Sequence, residues 1–375
     1  MSYKIKFKEQ EDIKLGDVTQ NDVIEVRKSY SKLHHELEKK AKPTHCILCE
    51  NEFSSFCNSH SIPRFILDNI DSQSKLVTGI SMHNNPLLDR YCGINKTLTF
   101  HIICESCDKT KFQDYENPNS YESTITQKML QQIALKNYLM KYSKRLYEFE
   151  SHKYQFQRIT PEEAFSFAPN IIEKFLLLQK HIQVDQIDIK DLVDEIFLNK
   201  TGKLKYFLID EIDLDYVVPL AYQGSINLIS DFKGRLINDS YNLSPSYKLV
   251  NLHIAIFPLQ TKSKILLFKE DGNDRLKLFY KDYKKLSLEE KLYAINYILL
   301  LYAEDIAFKP EIIDKIKINE ETLKLINTTM NPESITTNEL SEKEYHKLVL
   351  QNALDKFRLK TEGSILNFLA NIEYI

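Results

Sequence analysis

In the first 160 residues, the spacing of apolar and polar residues predicts a short strand and a helix, then an irregular segment with a second strand, and finally a long helix. Residues 1–8 alternate as a short strand. After the capping residues of Thr19–Asp22, one helical stripe carries Val23, Val26, Tyr30, Leu33 and Leu37. Residues 68–95 are polar and indicate a loop, whereas Thr97–Ile103 alternates as a strand. A long helix is predicted from Thr124 to about Tyr147, with apolar Met129, Leu130, Ile133 and Met140.

From about residue 160 the pattern mixes helices and strands. Two helical stretches, Pro161–Phe167 and Asn170–Leu198, precede five strand-like runs: Lys205–Ile209, Ile226–Ile229, Leu249–Phe257, Lys264–Phe268 and Leu276–Tyr280. A capping box, Ser287-Leu288-Glu289-Glu290, opens a helix whose apolar face carries Leu288, Leu292, Ile295, Leu299 and Tyr302. Further helices are expected over Glu311–Asn327, Ser341–Arg358 and Ser364–Ile372. This region has no glycine-rich phosphate loop or nucleophile elbow, which favours a regulatory or recognition domain.

Composition changes this picture only modestly. The 375 residues are 43% hydrophobic and 27% charged, which is ordinary for a globular protein. No apolar run reaches the ~18 residues of a membrane span, and Met1-Ser2-Tyr3-Lys4 opens no signal core, so we expect a cytoplasmic protein without a membrane partner. The net charge of −3 gives no global sign of nucleic-acid binding, so such a surface would have to be a local patch.

The cysteines are the most informative residues. All six lie between Cys46 and Cys107, and four of them form two Cys-x-x-Cys pairs: Cys46, Cys49, Cys104 and Cys107. Four clustered thiolates are the ligand set of a closed structural zinc site, and clustering disfavours a secreted disulfide scaffold. The remaining two, Cys57 and Cys92, are most simply buried small apolar residues.

Three motifs together resemble the zinc-containing branch of the HNH endonucleases, which have a treble-clef, ββα-metal fold. The motifs are Cys46-x-x-Cys49, Ser59-His60-Ser61-Ile62-Pro63 and Cys104-x-x-Cys107-Asp108-x-x-Lys111, and the resemblance covers residues 45–116. It implies that zinc ties a β-hairpin to a helix that starts near the last ligands. It further implies that His60 is the general base, that Thr99 on the second strand positions it, and that Asp108 and His60 hold a catalytic Mg²⁺ or Mn²⁺.

These residue types suit phosphodiester hydrolysis. A neutral imidazole can take a proton from water, and a divalent ion neutralises charge on the phosphate. Nearby cations would clamp the nucleic acid, for which Arg64, Lys109 and Lys111 are placed. A second basic group on the long helix, Lys141, Lys144 and Arg145, is either a phosphate-contacting patch or a solvated face.

Three positions depart from the family pattern and leave alternatives open. Ser59 stands where many members have an acidic ligand, Thr99 where they have Asn, and Asp108 where they have His or Asn. The site is therefore either functionally replaced or lost. His60 could also be a structural histidine, or could join Cys57 with Cys92 or His101 in a second zinc site. Glu116 either orients His60 or Arg64, or is an ordinary exposed carboxylate.

The sequence thus predicts an α+β protein with four parts. Residues 1–44 form an N-terminal strand and helix, 45–120 the zinc module, 121–159 a helical connector and 160–375 an α+β regulatory or recognition domain. The expected function is a metal-dependent HNH-type endonuclease, with DNA preferred over RNA, of the kind typical of bacterial antiphage defence. The alternatives are a non-catalytic zinc finger that binds nucleic acid or a protein, and an enzyme with its site in 160–375. The C-terminal domain is also a candidate for binding a protein partner or a second copy.

Overall fold

The computed structural model describes residues 20–52, 56–71, 73–79, 91–158, 161–198, 202, 205–323, 325 and 365–371. Within them the chain is α+β, with an N-terminal helix, a long helix and a sheet-containing C-terminal region, as predicted. The strand expected over residues 1–8 and the helix expected over Ser341–Arg358 lie outside the described residues. Residues 365–371 are described and form bends and turns instead of the helix expected there.

The helices and strands are numbered here in chain order over the described residues. The helices are α1 Gln20–Ala41, α2 Arg64–Asp68, α3 Glu105–Lys111, α4 Gln113–Glu116, α5 Gln127–Phe156, α6 Pro161–Leu198, α7 Lys277–Tyr283, α8 Leu288–Tyr302 and α9 Ile313–Ile318. The strands are β1 Ser59–His60, β2 Lys75–Thr78, β3 Cys92–Gly93, β4 Thr99–Phe100, β5 Tyr206–Leu214, β6 Leu220–Ile226, β7 Leu252–Pro258, β8 Ser263–Glu270 and β9 Ala307–Phe308.

The described strands form two antiparallel sheets. The hairpin of β1 and β4 is the smaller one, and the larger has the order β3-β2-β9-β6-β7-β8-β5. Its strands β2 and β3 come from the segment between the two cysteine pairs, and β2 hydrogen-bonds with β9 from the C-terminal region. The cysteine-bearing segment therefore contributes one end of the main sheet.

The core lies on both faces of this sheet, because β7 and β8 are buried along almost their whole length. Ile254 and Ile256 of β7 belong to an apolar cluster that includes α7 and α8. The alternate residues, Ala255 and Phe257, belong to a second cluster that includes α5 and the cysteine segment. Side chains alternate between the faces of a strand, so the sheet forms the middle of three layers.

Helix α5 positions the site because it is enclosed on several sides. The Thr126 hydroxyl caps it by accepting from the Met129 N–H at 3.2 Å. It packs against α1, α6, α4 and the sheet, and the run from Gln132 to Leu139 is buried. A helix surrounded in this way carries side chains into several environments, and three of its buried residues are polar: Gln132, Lys136 and Asn137.

Several sequence-based expectations about the C-terminal region are corrected by the structure. Leu276–Tyr280 is not a strand: a 3₁₀ turn leads into α7, where Phe279 and Tyr283, one helical turn apart, are buried. The strand expected at Ile226–Ile229 lies earlier, as β6, and overlaps the expected run only at Ile226. The two stretches before the sheet form one helix, α6. Over the described part of Glu311–Asn327 the expected helix is divided among a 3₁₀ turn, α9 and a further helical segment that begins at residue 320.

The cysteine segment departs from expectation in two places. Residues 68–95 are not all loop, because β2 and β3 form within them and Leu76 and Val77 are buried. The strand expected over Thr97–Ile103 shortens to the two residues of β4. Among the stripe residues of α1 whose side chains are described, Leu37 at the C-terminal end is buried, whereas Val26 and Tyr30 are exposed.

Candidate metal and catalytic site

The four predicted cysteines converge on one point. Cys46 and Cys49 lie on a turn, Cys104 is the N-cap of α3, and Cys107 lies in the first turn of α3. Their sulfur atoms all lie within 4.8 Å of one another, and Cys49 Sγ is 3.9 Å from Cys104 Sγ. Tetrahedral zinc with bonds of about 2.3 Å places its sulfur ligands about 3.8 Å apart. The cluster therefore fits a structural zinc ion.

Two observations support thiolate ligands over a disulfide. All six cysteines are free. The Cys104 N–H donates to Cys46 Sγ at 3.3 Å, and the Cys107 N–H donates to Cys104 Sγ at 3.4 Å. Such donors favour the charged form of sulfur, whereas burial raises the pKa of the Cys46 thiol. Metal binding must release this thiol's proton, so zinc affinity falls in acid.

The described residues do not form the second zinc site considered from the sequence. The Cys57 thiol donates to the carbonyl of Ile103 at 3.4 Å, and the ring of His101 bonds through Nδ1 to the carbonyl of Cys57 at 3.2 Å. Among the described residues, the four-cysteine cluster is the one group of three or more His, Cys, Asp or Glu ligands close enough to share an ion. Cys57 and His101 are therefore held by backbone.

The predicted base and its neighbour on the second strand are brought together. His60 of β1 pairs with Thr99 of β4, so the hairpin places them directly opposite each other. The His60 ring is half-buried, and its Nε2 lies 3.0 Å from the carbonyl oxygen of Ile94. A carbonyl can only accept, so Nε2 carries the proton and Nδ1 keeps its lone pair. Burial, with Lys136 and Arg64 nearby, lowers the pKa of His60, so the ring is neutral at pH 7.

Asp108 is engaged by groups other than the His60 ring. Its Oδ1 accepts a hydrogen bond from the Ser59 hydroxyl at 2.5 Å and from the Lys136 ammonium at 2.7 Å. The sequence placed Asp108 and His60 around a shared ion. The structure places the Asp108 carboxylate against Lys136 and the His60 ring against Ile94, so each already has a protein partner.

Lys136 is the residue that the sequence analysis missed. Its side chain is 1% exposed, and its ammonium also contacts Glu116 Oε1 at 3.1 Å, Ser59 Oγ at 2.8 Å and the His60 carbonyl at 3.2 Å. Glu116 therefore pairs with Lys136, which is neither of the roles considered for it. Burial raises the pKa of Glu116. A signal was present, because Lys136 falls on the apolar stripe of Met129, Ile133 and Met140 in α5.

The three cations predicted near the base have different surroundings. Arg64 is exposed and donates to the side chain of Asn95 at 2.8 Å, on the same 3₁₀ turn whose Ile94 contacts His60. Lys109 pairs with Glu105 at 2.5 Å on the exposed face of α3. Lys111 lies over the Phe197 ring at 4.3 Å. Only Arg64 is tied to the immediate neighbourhood of His60, and nucleic-acid contact by all three stays a prediction.

The second predicted group is partly enclosed instead of lying on a solvated face. Lys141 and Arg145 both pair with the buried Asp185, and Lys144 pairs with Asp305 at 2.7 Å and Glu304 at 3.0 Å. All three line a cavity of about 500 Å³ between α5, α6 and β6. Their positive charges are compensated inside the protein, which weakens the support for a phosphate-contacting patch.

Comparison with known proteins does not add to these observations. No protein-family model, curated protein or solved structure matches this chain. Within the described residues, none of the helices combines the length and apolar character needed to cross a bilayer. The geometry around His60 and the cysteine cluster is therefore the main indication of what the chain does.

Proposed function

We propose that the chain is an HNH-type endonuclease that hydrolyses phosphodiester bonds, in DNA in preference to RNA, and that its four-cysteine cluster holds a structural zinc. One observation carries the proposal. His60 lies on a β-hairpin opposite Thr99, and the cysteine cluster joins the chain before this hairpin to the first turn of α3 after it. This is the strand–strand–helix arrangement that the sequence resemblance implies.

In the proposed reaction His60 acts as the general base. Nδ1 of the neutral ring takes a proton from a water molecule, and the resulting hydroxide attacks phosphorus. The bond from phosphorus to the leaving oxygen breaks, that oxygen takes a proton from solvent water, and the proton on His60 Nδ1 is returned to solvent. Arg64, which is exposed beside the same turn, supplies positive charge for the phosphate. Thr99 supports the strand that carries the base.

The resemblance also implies Mg²⁺ or Mn²⁺ between His60 and Asp108, and the residues present do not fit this ion. Asp108 Oδ1 accepts from the Lys136 ammonium at 2.7 Å, and His60 Nε2 donates to the carbonyl of Ile94. An ion at Asp108 would lie against a buried positive charge. The proposed reaction therefore uses His60 and Arg64 without a step at a divalent ion, and zinc serves only to hold the hairpin and helix together.

The test is a plasmid-cleavage assay on the zinc-loaded full chain. His60→Ala should lower the cleavage rate by roughly 10²–10⁴-fold, the usual contribution of a general base, while zinc content stays unchanged. His45→Ala is a matched control, because His45 is also near a cysteine pair but is exposed and pairs with Glu52. Cleavage at the wild-type rate by a folded His60→Ala protein would contradict the assignment and direct attention to residues 160–375.

A second candidate is a non-catalytic zinc finger that binds nucleic acid or a protein partner. It is favoured by the hydrogen bonds that already occupy Asp108 and His60 Nε2. A zinc-loaded protein that binds DNA or RNA without cutting either would select this candidate. For both candidates we propose a cytoplasmic location, because a reducing compartment keeps four thiolates available for zinc. We also propose that the C-terminal region regulates the module, as in bacterial defence nucleases.

A further inference from the structure

Four oxygen atoms surround the buried ammonium of Lys136. They are Asp108 Oδ1 at 2.7 Å, Ser59 Oγ at 2.8 Å, Glu116 Oε1 at 3.1 Å and the carbonyl oxygen of His60 at 3.2 Å. The Phe112 ring closes a further side, with its centre 4.4 Å from the ammonium. We call the space bounded by these four oxygens the cation position. It lies directly behind the strand that carries His60.

The chemistry of the cation position is that of a hard-cation site. Two carboxylates, a hydroxyl and a backbone carbonyl are oxygen ligands of the kind that Mg²⁺, Mn²⁺ and Ca²⁺ select. The observed distances are those of hydrogen bonds from a charged nitrogen, and are longer than the 2.0–2.6 Å of metal–oxygen bonds. The oxygen set would thus suit a divalent ion, but an ammonium fills it.

The ammonium is also hard to displace. Its side chain is 1% exposed, and it comes from α5, which is anchored between α1, α6 and the sheet. Withdrawing it would leave the Asp108 and Glu116 carboxylates close together in a half-buried place without a counter-charge, which is unfavourable. An ion arriving from solution would have to overcome both effects.

We infer that Lys136 is a built-in cation: its ammonium permanently occupies the cation position beside His60, so that the native chain binds no divalent ion at Asp108. Removing the ammonium converts the same oxygens into a divalent-cation site. This inference deepens the proposed function by naming the group that takes the metal's place. Lys136 does not touch substrate. It is a positioning residue that holds Asp108, Ser59 and the His60 strand in a fixed arrangement.

The test measures Mn²⁺ binding by electron paramagnetic resonance on the zinc-loaded full chain, without any cleavage assay. Four proteins are compared: wild type, Asp108→Asn, Lys136→Ala, and Lys136→Ala combined with Asp108→Asn. Wild type and Asp108→Asn should give the same Mn²⁺ isotherm. Lys136→Ala should gain a site whose affinity is at least about tenfold higher than in the double variant, because the double variant lacks one carboxylate ligand. Mn²⁺ should also raise the melting temperature of Lys136→Ala alone.

Two results would overturn the inference. One is an Mn²⁺ site in wild type that disappears in Asp108→Asn. The other is a folded Lys136→Ala protein whose Mn²⁺ isotherm equals that of the double variant. If Lys136→Ala does not fold, Lys136→Met replaces it, because the methionine keeps an apolar stem against Phe112. The Mn²⁺ isotherms of wild type and Asp108→Asn also test, without any Lys136 variant, whether the native chain binds the ion at Asp108. Because no arm measures cleavage, the inference and the proposed nuclease activity succeed or fail separately.

Discussion

The zinc module, residues 45–120, and the centre of the main sheet are stabilised by different combinations of interactions. In the module the described strands β1 and β4 have two residues each and contribute few ladder hydrogen bonds. In the sheet every residue of β7 is buried, and β8 pairs with neighbours along its whole length. The hairpin and α3 are joined by the cysteine cluster in addition to the apolar contacts that the module shares with α5, whereas the sheet depends on apolar burial alone. Loss of the cysteine cluster should therefore affect the two regions very differently.

The two regions nevertheless share a boundary. Tyr121, the residue directly after the module, packs edge-on against Phe257 of β7, with ring centres 5.6 Å apart. The side-chain amide of Asn69 donates to the carbonyl of Pro258 at 2.9 Å. These contacts place the module on one face of the sheet, while α7 and α8 cover the other. Loss of the module should therefore disturb one face first.

The largest expected effect comes from the metal cluster. Cys104→Ser should release zinc and unfold residues 45–120 while β7, β8 and α8 keep their hydrogen-exchange protection, since structural zinc contributes about 10–16 kcal/mol in finger peptides. Zinc content and hydrogen exchange measure both parts. Cys57→Ser is the matched control, because Cys57 bonds to a backbone carbonyl and lies outside the cluster; it should keep the zinc. Retained zinc in Cys104→Ser would remove the contrast between the regions.

The next effect concerns the apolar face of α8. Leu292 is buried in the cluster beneath the sheet, so Leu292→Ala should lower the free energy of unfolding by about 2–5 kcal/mol. Leu288, on the same helix, is 53% exposed, so Leu288→Ala should change it by no more than about 0.5 kcal/mol. Denaturant unfolding measures both, and zinc content should stay unchanged. Equal effects for the two variants would contradict the burial of this face.

A further effect, spread over several pH units and therefore small at any one pH step, is expected from acid. His253 of β7 is fully buried, stacks on Phe268 and has its pKa lowered to about 3 by burial, with Lys141 adding to the shift. Between pH 6.5 and about 3 the unfolded chain binds a proton that the folded chain does not, so stability falls as pH falls. The loss is about 1.4 kcal/mol per pH unit. His253→Gln should flatten the unfolding free energy over this window, and an unchanged slope would refute the prediction.

The smallest effect tests a local cap. Ser287 Oγ accepts from the Glu290 N–H at 3.3 Å, and the Glu290 carboxylate accepts from the Ser287 N–H at 2.7 Å. Ser287→Ala should cost about 1 kcal/mol of stability, measured by thermal unfolding. Ser287→Asp keeps an acceptor at the N-cap and should cost only a few tenths. If both cost the same, the cap is not the cause.

Features encoded within a few residues could be predicted from the sequence. The cysteine spacing, the Ser287 capping box and the long helix α5 follow local rules, and the structure confirms the cluster, the cap and the helix. The pairing of His60 with Thr99 likewise agrees with the hairpin that the resemblance implies. The catalytic roles of these residues stay predictions.

Features decided by distant contacts could not be predicted. Leu276, Leu278 and Tyr280 alternate like a strand, but the residues that meet the core are Leu276, Phe279 and Tyr283, which have helical spacing, and Leu278 is exposed. Lys136 was detectable as a lysine on an apolar stripe. Its partners, however, include Ser59, 77 residues away, and no local pattern identifies them. The short strand β2 pairs with the nearby β3 on one side, but it joins the main sheet only through the distant strand β9.

The pairing of β2 with β9 limits the order in which these parts of the chain can fold during synthesis. β2 and its partner β9 are separated by more than two hundred residues, so β2 leaves the ribosome long before β9 exists. At translation speeds of about 5–20 residues per second the delay is roughly 10–50 s. All four cysteines emerge within the first part of this interval, so the zinc cluster can close while Leu76 and Val77 still lack their sheet. With zinc bound, the module would form an early folding intermediate whose apolar edge stays open until β9 is made, which is the kind of species that chaperones protect.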